Sequence, residues 1–258
     1  MSSFDFGPSE PNPFASPEAA SMAEQVGDDT VQPRSSIDHL EAFSFLFQNP
    51  NWIVNVLLLT LLQLLPIVGP MIIMGYSAEM VGKKAIGRTP TYADFDFNRF
   101  GEYLMRGLWI LLLGLLGSLP LIPVYLVFFA LAISAQQVFG DEGMLLLLLL
   151  YPVMMVCLLL LGVILQPMII RAGFQNDLGT AFDWAWIRDF IGKMWGDQLV
   201  GSFVIFLLGF LLAMVGMLFF CVGMYPAMVI GQLAWWHFLM QLYQVYVHRG
   251  GQPVMFVD

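Results

Sequence analysis

The sequence predicts an all-α polytopic membrane bundle of about six spans, and three observations predict it. Long apolar stretches recur along the 258-residue chain, and about 20 apolar residues suffice for a helix to cross a bilayer. Hydrophobic residues make up 59% of the chain and charged residues 11%, whereas a soluble domain carries about 25% charged residues. All ten Lys and Arg residues fall in gaps that a single threading places on one side: Arg34, Lys83, Lys84, Arg88, Arg99, Arg106, Arg171, Arg188, Lys193 and Arg249. This is the positive-inside pattern. It predicts a multi-pass protein of the inner membrane, with both termini and the basic loops cytoplasmic.

Residues 1–36 read as a disordered acidic tail, rich in Pro and Ser and without helical periodicity. Residues 1–41 hold eight acids against one base, the reverse of a secretory signal peptide. Asn12-Pro13-Phe14 resembles a short adaptor-binding motif, but a solvated tail accounts for it. Leu40, Phe43 and Phe47 share helical spacing within 37–47 and predict a short interfacial helix. The apolar stretch 52–81 is interrupted by Pro66 and Pro70. A hairpin of two short helices keeps the acidic tail on the side of its own cation, and six spans follow from it. One long kinked helix gives five. Residues 104–134 exceed the length of one crossing and should tilt, or break near Gly117-Ser118-Leu119-Pro120 and Pro123. Residues 136–143 carry Asp141 and Glu142 without a base, as an outer loop would. Further crossings follow at 144–166, 199–222 and 227–247, the last two joined by a turn at 223–226. The membrane domain thus covers 37–249, and 250–258 is a short tail.

The two long loops, 91–107 and 180–196, match each other. Thr91, Asp94, Phe95, Phe97, Arg99 and Gly107 recur as Thr180, Asp183, Trp184, Trp186, Arg188 and Gly196, each 89 residues later. Pro70-Met71-Ile72-Ile73 also recurs as Pro167-Met168-Ile169-Ile170. A duplicated unit with both copies facing the same side, a parallel repeat, explains the match. Thr followed three residues later by Asp resembles a capping box. Phe95, Phe97, Trp184 and Trp186 suit the membrane interface. Phe182, Trp186, Phe190 and Met194 share one face, which predicts an amphipathic helix lying on the inner leaflet. The alternative makes Arg99 and Arg188 clamps for a lipid headgroup or substrate.

Chemistry-bearing groups are sparse. Cys157 and Cys221 lie in apolar runs without metal-binding spacing and read as small buried hydrophobes. No catalytic, cofactor-binding or metal-binding constellation is present, which predicts a chain without enzymatic activity and without a cofactor. His237 is the only histidine within a predicted span. An ionisable group at that depth is a functional candidate, against which stands a structural histidine. Glu79 and Lys83 have the spacing of an ordinary i,i+4 pair. Gln63, Gln166, Gln232 and His237 are the polar positions that would line a solute path, and interhelical hydrogen bonds explain them as well. The glycines spread through the spans predict close helix packing. A net charge of −9 argues against nucleic acid as a partner. The expected partners are membrane lipids and either an unidentified membrane protein or a second copy of the chain.

Leu65-Pro66-Ile67-Val68-Gly69, Gly75-Tyr76, a short basic stretch, Pro90, Asp94-Phe95 and Gly107-Leu108 together resemble a bacterial and archaeal membrane family, domain of unknown function 4013. Tyr92-Ala93 departs from that family's Pro-x-Trp-like run. The resemblance spans roughly 41–246 and is distantly similar to the membrane domains of glycerophosphodiester phosphodiesterases. It implies a helical membrane protein and assigns no functional residue. The expected role is therefore structural, in assembly or in membrane homeostasis. A small-solute transporter or channel is the first alternative, and a lipid-modifying enzyme the second.

Overall fold

The computed structural model describes residues 31–257 except Pro90, 141–142 and 220–221, with the backbone alone at 143–147 and 149. The chain is all-helical among the described residues. Helix α1 (Glu41–Ser44) continues as a 3-10 turn, Phe45–Gln48. Then follow α2 (Trp52–Gln63), α3 (Val68–Ala85), α4 (Phe100–Ser118), α5 (Leu121–Phe139), α6 (Gly143–Gln175), α7 (Trp184–Met217) and α8 (Met224–His248). The adaptor-like Asn12-Pro13-Phe14, the outer-loop acids Asp141 and Glu142, and Cys221 lie outside the described residues.

The helices run up and down from one common polar end. The first turn of α2 and the last turns of α3 both reach the loop 92–99, through Asn55 on Asp94 and Glu79 on Arg99. Residues 52–81 are therefore a hairpin, turning at Pro66 and at Ile67, whose φ is +66°. That φ is costly for a β-branched residue. Helix α4 leaves the same end antiparallel to α3, since Met71 faces Gly107 and Gly75 faces Tyr103. Helix α6 returns antiparallel to α4, with Leu165 beside Gly117 and Gly173 bonded to Arg106. Helix α7 departs beside it, and α8 comes back.

The chain stops its returning helices with residues suited to the left-handed conformation. Gly87, Asn176 and Gly250 have φ of +75°, +51° and +75° just past the ends of α3, α6 and α8. Gly and Asn tolerate this C-terminal cap. Lys83 and Lys84 occupy the last turn of α3, and Arg249 follows α8. There they also suit the negative end of the helix dipole.

Among the described residues, four helices are long and apolar enough to cross a membrane: residues 97–118, α5, 150–175 and α7; treating 41–48 and 52–63 as one bent span gives a fifth. The division differs from the expected one in three places. The stretch 104–134 breaks at Leu119-Pro120 and supplies two candidate spans, α4 and α5, with α5 continuing helically to Phe139. Helix α2, at 12 residues, rises only about 18 Å, too little for a hydrocarbon core of about 30 Å. Helix α8 carries Gln232, His237, Gln241 and Gln244 and is the central pillar: from Trp236 to Tyr246 every residue is buried. A helix enclosed by protein does not need a lipid-compatible surface.

Burial is uneven. The aromatic core gathers near the polar end, where Tyr76, Tyr92, Phe174, Phe190, Tyr243 and Tyr246 are all buried. The most apolar window of α5 is only 6% buried, and Phe203, Phe206 and Phe210 of α7 are exposed. Such a surface is tolerable only in an apolar medium, and the chain is built to be embedded in a membrane.

Candidate functional site

The polar end is where ionisable side chains meet. Its first feature is a carboxylate held by three amides. Asn49 and Asn55 donate to Asp94 Oδ1 and Asn51 donates to Oδ2, each at 2.8 Å. Two of the three amide orientations, those of Asn49 and Asn55, are fixed independently. Asn49 Oδ1 accepts from the Asn51 N–H at 2.7 Å, and Asn55 Oδ1 accepts from the Phe95 N–H at 3.1 Å. Nitrogen rather than oxygen therefore faces Asp94, the opposite of a cation shell. The amides of Asn55, Asn51 and Asn49 hold the Asp94 carboxyl below the ordinary aspartate range by bonding its charged form.

The second feature is a buried acid among cations. Glu79 is 3% exposed. Its Oε1 accepts from Lys83 at 2.8 Å and from Arg99, while Arg106 Nε lies 4.0 Å from Oε2. Arg99 also pairs with Glu102 and covers the Tyr103 ring. Arg106, 1% exposed, donates to the carbonyls of Gly173 and Val257 at 2.7 Å each. This draws the C-terminal segment back onto the helices. Phe256 packs where a Gly82 side chain would stand, and the Tyr243 hydroxyl receives the Val254 N–H at 2.7 Å. The N-terminal side is held too. Gln32 N–H bonds to the carbonyl of Ala85 at 2.9 Å, and Gln241 bonds both the N–H and the carbonyl of Asp38. Residues 31–36 are thus seated on α3 and α8, before the expected start of the folded domain at 37.

The matched loops are built differently. Asp183 is the cap of α7, accepting from the Trp186 N–H at 3.1 Å and pairing with Arg171. In the first loop that capping role falls to Asp96, which accepts from the Asn98 N–H at 2.9 Å. Neither loop uses Thr as the cap, because Thr180 instead donates to the Asp177 carbonyl. Phe95 is buried against Tyr76 and Tyr103, and Phe97 is exposed. Trp184 is 54% exposed and Trp186 4%. The face formed by Trp186, Phe190 and Met194 does not lie on lipid. It packs against Tyr246 of α8, and the Trp186 indole donates to the Gln252 carbonyl. These residues are the first turns of the continuous 34-residue α7, so the protein's own core takes the apolar stripe expected on the leaflet. Arg188 is exposed and is not brought beside Arg99 by any described contact.

The four polar span positions sit in separate surroundings. The Gln241 oxygen is taken by the Asp38 N–H, so its nitrogen faces His237 Nδ1, at 3.0 Å. The His237 proton is thereby assigned to Nε2, which has no partner among the described residues. The ring stacks on Phe45 with centroids 4.2 Å apart. Gln63 ends α2 with its Oε1 unpartnered, and Gln232 lies partly buried in α8. Gln166 donates to Ser202 Oγ at 2.6 Å. Nearby, Pro167 has no N–H to offer the Val163 carbonyl, and Gln198 supplies the missing donor at 3.0 Å.

Sequence reading missed Arg106, the asparagine cradle and Gln198. The spacing of Asn49, Asn51 and Asn55 was a usable signal, since all three can gather at a helix start. Among the described residues no three His, Cys, Asp or Glu side chains are placed to hold a metal. Cys157 is half-buried in α6.

A family model described as Protein of unknown function (DUF4013) matches residues 58–221, from the middle of α2 to the end of α7. No curated protein and no solved structure matches the chain. The chain belongs to the DUF4013 family.

Proposed function

We propose that this family member is a non-enzymatic membrane scaffold, with a structural, assembly or homeostatic role in the inner membrane. One observation carries the reading: the polar end spends its ionisable groups on one another and on backbone carbonyls. Asp94 is cradled by amides and Glu79 by cations. Asp183 pairs with Arg171, Asp189 with Lys193, and Asp197 with Arg249. A nucleophile or general base needs a group left available for substrate, whereas this layer ties six helices and both flanking segments into one fixed shape. The same layer gathers the cations on one face, which supports a cytoplasmic placement of that face. The exposed rings of Phe97 and Trp184 suit its membrane border. The sequence match of the two loops supports a duplicated ancestral unit with divergent local geometry. Gln166 turns to Ser202 while His237 turns to Gln241, so these positions do not supply one continuous polar path.

Amine-reactive crosslinking in native membranes, through Lys83, Lys84 and Lys193, tests the proposal. Reproducible crosslinks to one membrane protein or to a second copy are expected. Crosslinks at background level, together with solute flux into liposomes holding only this chain, would replace the scaffold with a transporter.

A further inference from the structure

A cavity of about 350 Å³ opens between α6 and α7, lined by Leu158, Gly162 and Gln166 on one side, Ser202 and Phe203 on the other, and Trp235 of α8. At about 30 Å³ per water-sized volume, it holds roughly a dozen heavy atoms. Its walls are apolar except at the Gln166–Ser202 pair and the indole N–H of Trp235. Gln166 is 3% exposed, and its Oε1 has no partner among the described residues. Reversing the amide would bond Oε1 to Ser202 and leave Nε2 unanswered instead, so either orientation strands one polar atom at the wall. A buried polar atom left without a partner is destabilising. Nothing packs where a Gly162 side chain would stand. At the mouth Phe203 and Phe206 are exposed on the lipid-facing side of α7.

From the unanswered Gln166 amide at the end of a lipid-opening apolar cavity, we infer a binding site for the hydroxyl end of a long-chain lipid alcohol. A hydroxyl both donates and accepts, so it answers Gln166 in either orientation while bonding Ser202. The Gln166–Ser202 pair matches one hydroxyl, whereas a diacylglycerol brings two ester carbonyls as well and the remaining walls offer them a single donor, the Trp235 indole N–H. Entry is sideways from the bilayer, because the mouth faces the apolar surface. The inference goes beyond the scaffold reading and does not depend on it.

Trp235 in the wall provides the readout. The full chain in nanodiscs is titrated with bromododecanol or bromododecane, and bromine quenching of Trp235 is taken as the difference from Trp235→Phe. Bromododecanol should half-saturate at about fivefold lower mole fraction, the worth of one hydrogen bond. Gln166→Leu should bring the two probes together. Gly162→Leu fills the cavity without replacing either member of the polar pair and should abolish saturable quenching by both. Size-exclusion profiles identify any variant that does not fold, and the comparison of the two probes on the unmodified chain stands without the variants. Equal half-saturation by alcohol and alkane overturns the inference, and so does stronger competition by dioctanoylglycerol than by dodecanol.

Discussion

At the scale of single residues, the polar end is held by groups whose partners lie far away in the chain. Asp94 is the clearest case, since its three asparagines come from the start of α2. Its carboxyl is held below the ordinary aspartate range in the folded protein. The stabilisation is therefore present above the unfolded pKa of about 4 and is lost as pH falls through the lower folded value. Asp94 is exposed, so solvent screens the interaction, and Asp94→Asn should cost about 1–2 kcal/mol near neutral pH. The gap from the unmodified protein should close as pH falls through the lowered folded value of Asp94. Thermal unfolding in detergent at neutral and acid pH measures both, and an equal gap at the two pH values would show that the carboxylate charge is not the source. The Glu79–Lys83 pair was readable from its spacing. Arg99 and Arg106 beside the same acid were not, because they arrive from the loop before α4 and from α4 itself.

At the scale of elements, glycines separate into two kinds that composition does not distinguish. A Cβ on Gly75 would stand 1.8 Å from the Tyr103 carbonyl oxygen, and one on Gly107 1.8 Å from that of Met71. Helices α3 and α4 therefore cross with their backbones in contact, and no side chain can be accommodated without parting them. Gly114, Gly162, Gly209 and Gly231 meet nothing within 4 Å, so the close packing expected of every glycine in the spans does not apply to these four. Gly75→Ala should lower stability by about 3 kcal/mol or more. Gly114→Ala, in the same helix pair, should be neutral or stabilise by up to about 1 kcal/mol. Unfolding midpoints of the two variants, measured side by side in detergent, decide this, and equal midpoints would mean that the crossing is not set by Gly75. The break at Leu119-Pro120 was legible because proline acts on its own backbone, whereas the helix stops at Gly87 and Gly250 emerge only from the structure. The inward turn of Trp186, Phe190 and Met194 was not: periodicity gives the apolar stripe but not the surface that covers it.

At the scale of the whole molecule, Arg34, Lys83, Arg106, Arg171, Lys193 and Arg249 meet at one end of the helices through direct contacts. Single cysteines introduced as Lys84→Cys, Arg188→Cys and Arg249→Cys, with Cys157 and Cys221 replaced by Ala, should all react with a membrane-impermeant thiol reagent from the cytoplasmic side. Labelling of Arg188→Cys from the other side alone would end the proposed threading. The sequence by itself determined the class of the protein, its helical content and the gathering of its cations, because hydropathy and charge act locally and against the solvent. It also carried the family's ordered Pro, Gly and acidic-aromatic marks. Only the tertiary structure decided that α8 is a buried pillar, that residues 250–257 fold back onto Arg106, and that Asp94 and Asp183 have different tasks. Those outcomes depend on which distant surfaces meet, and many pairings of similar apolar helices satisfy the same local pattern until packing selects one.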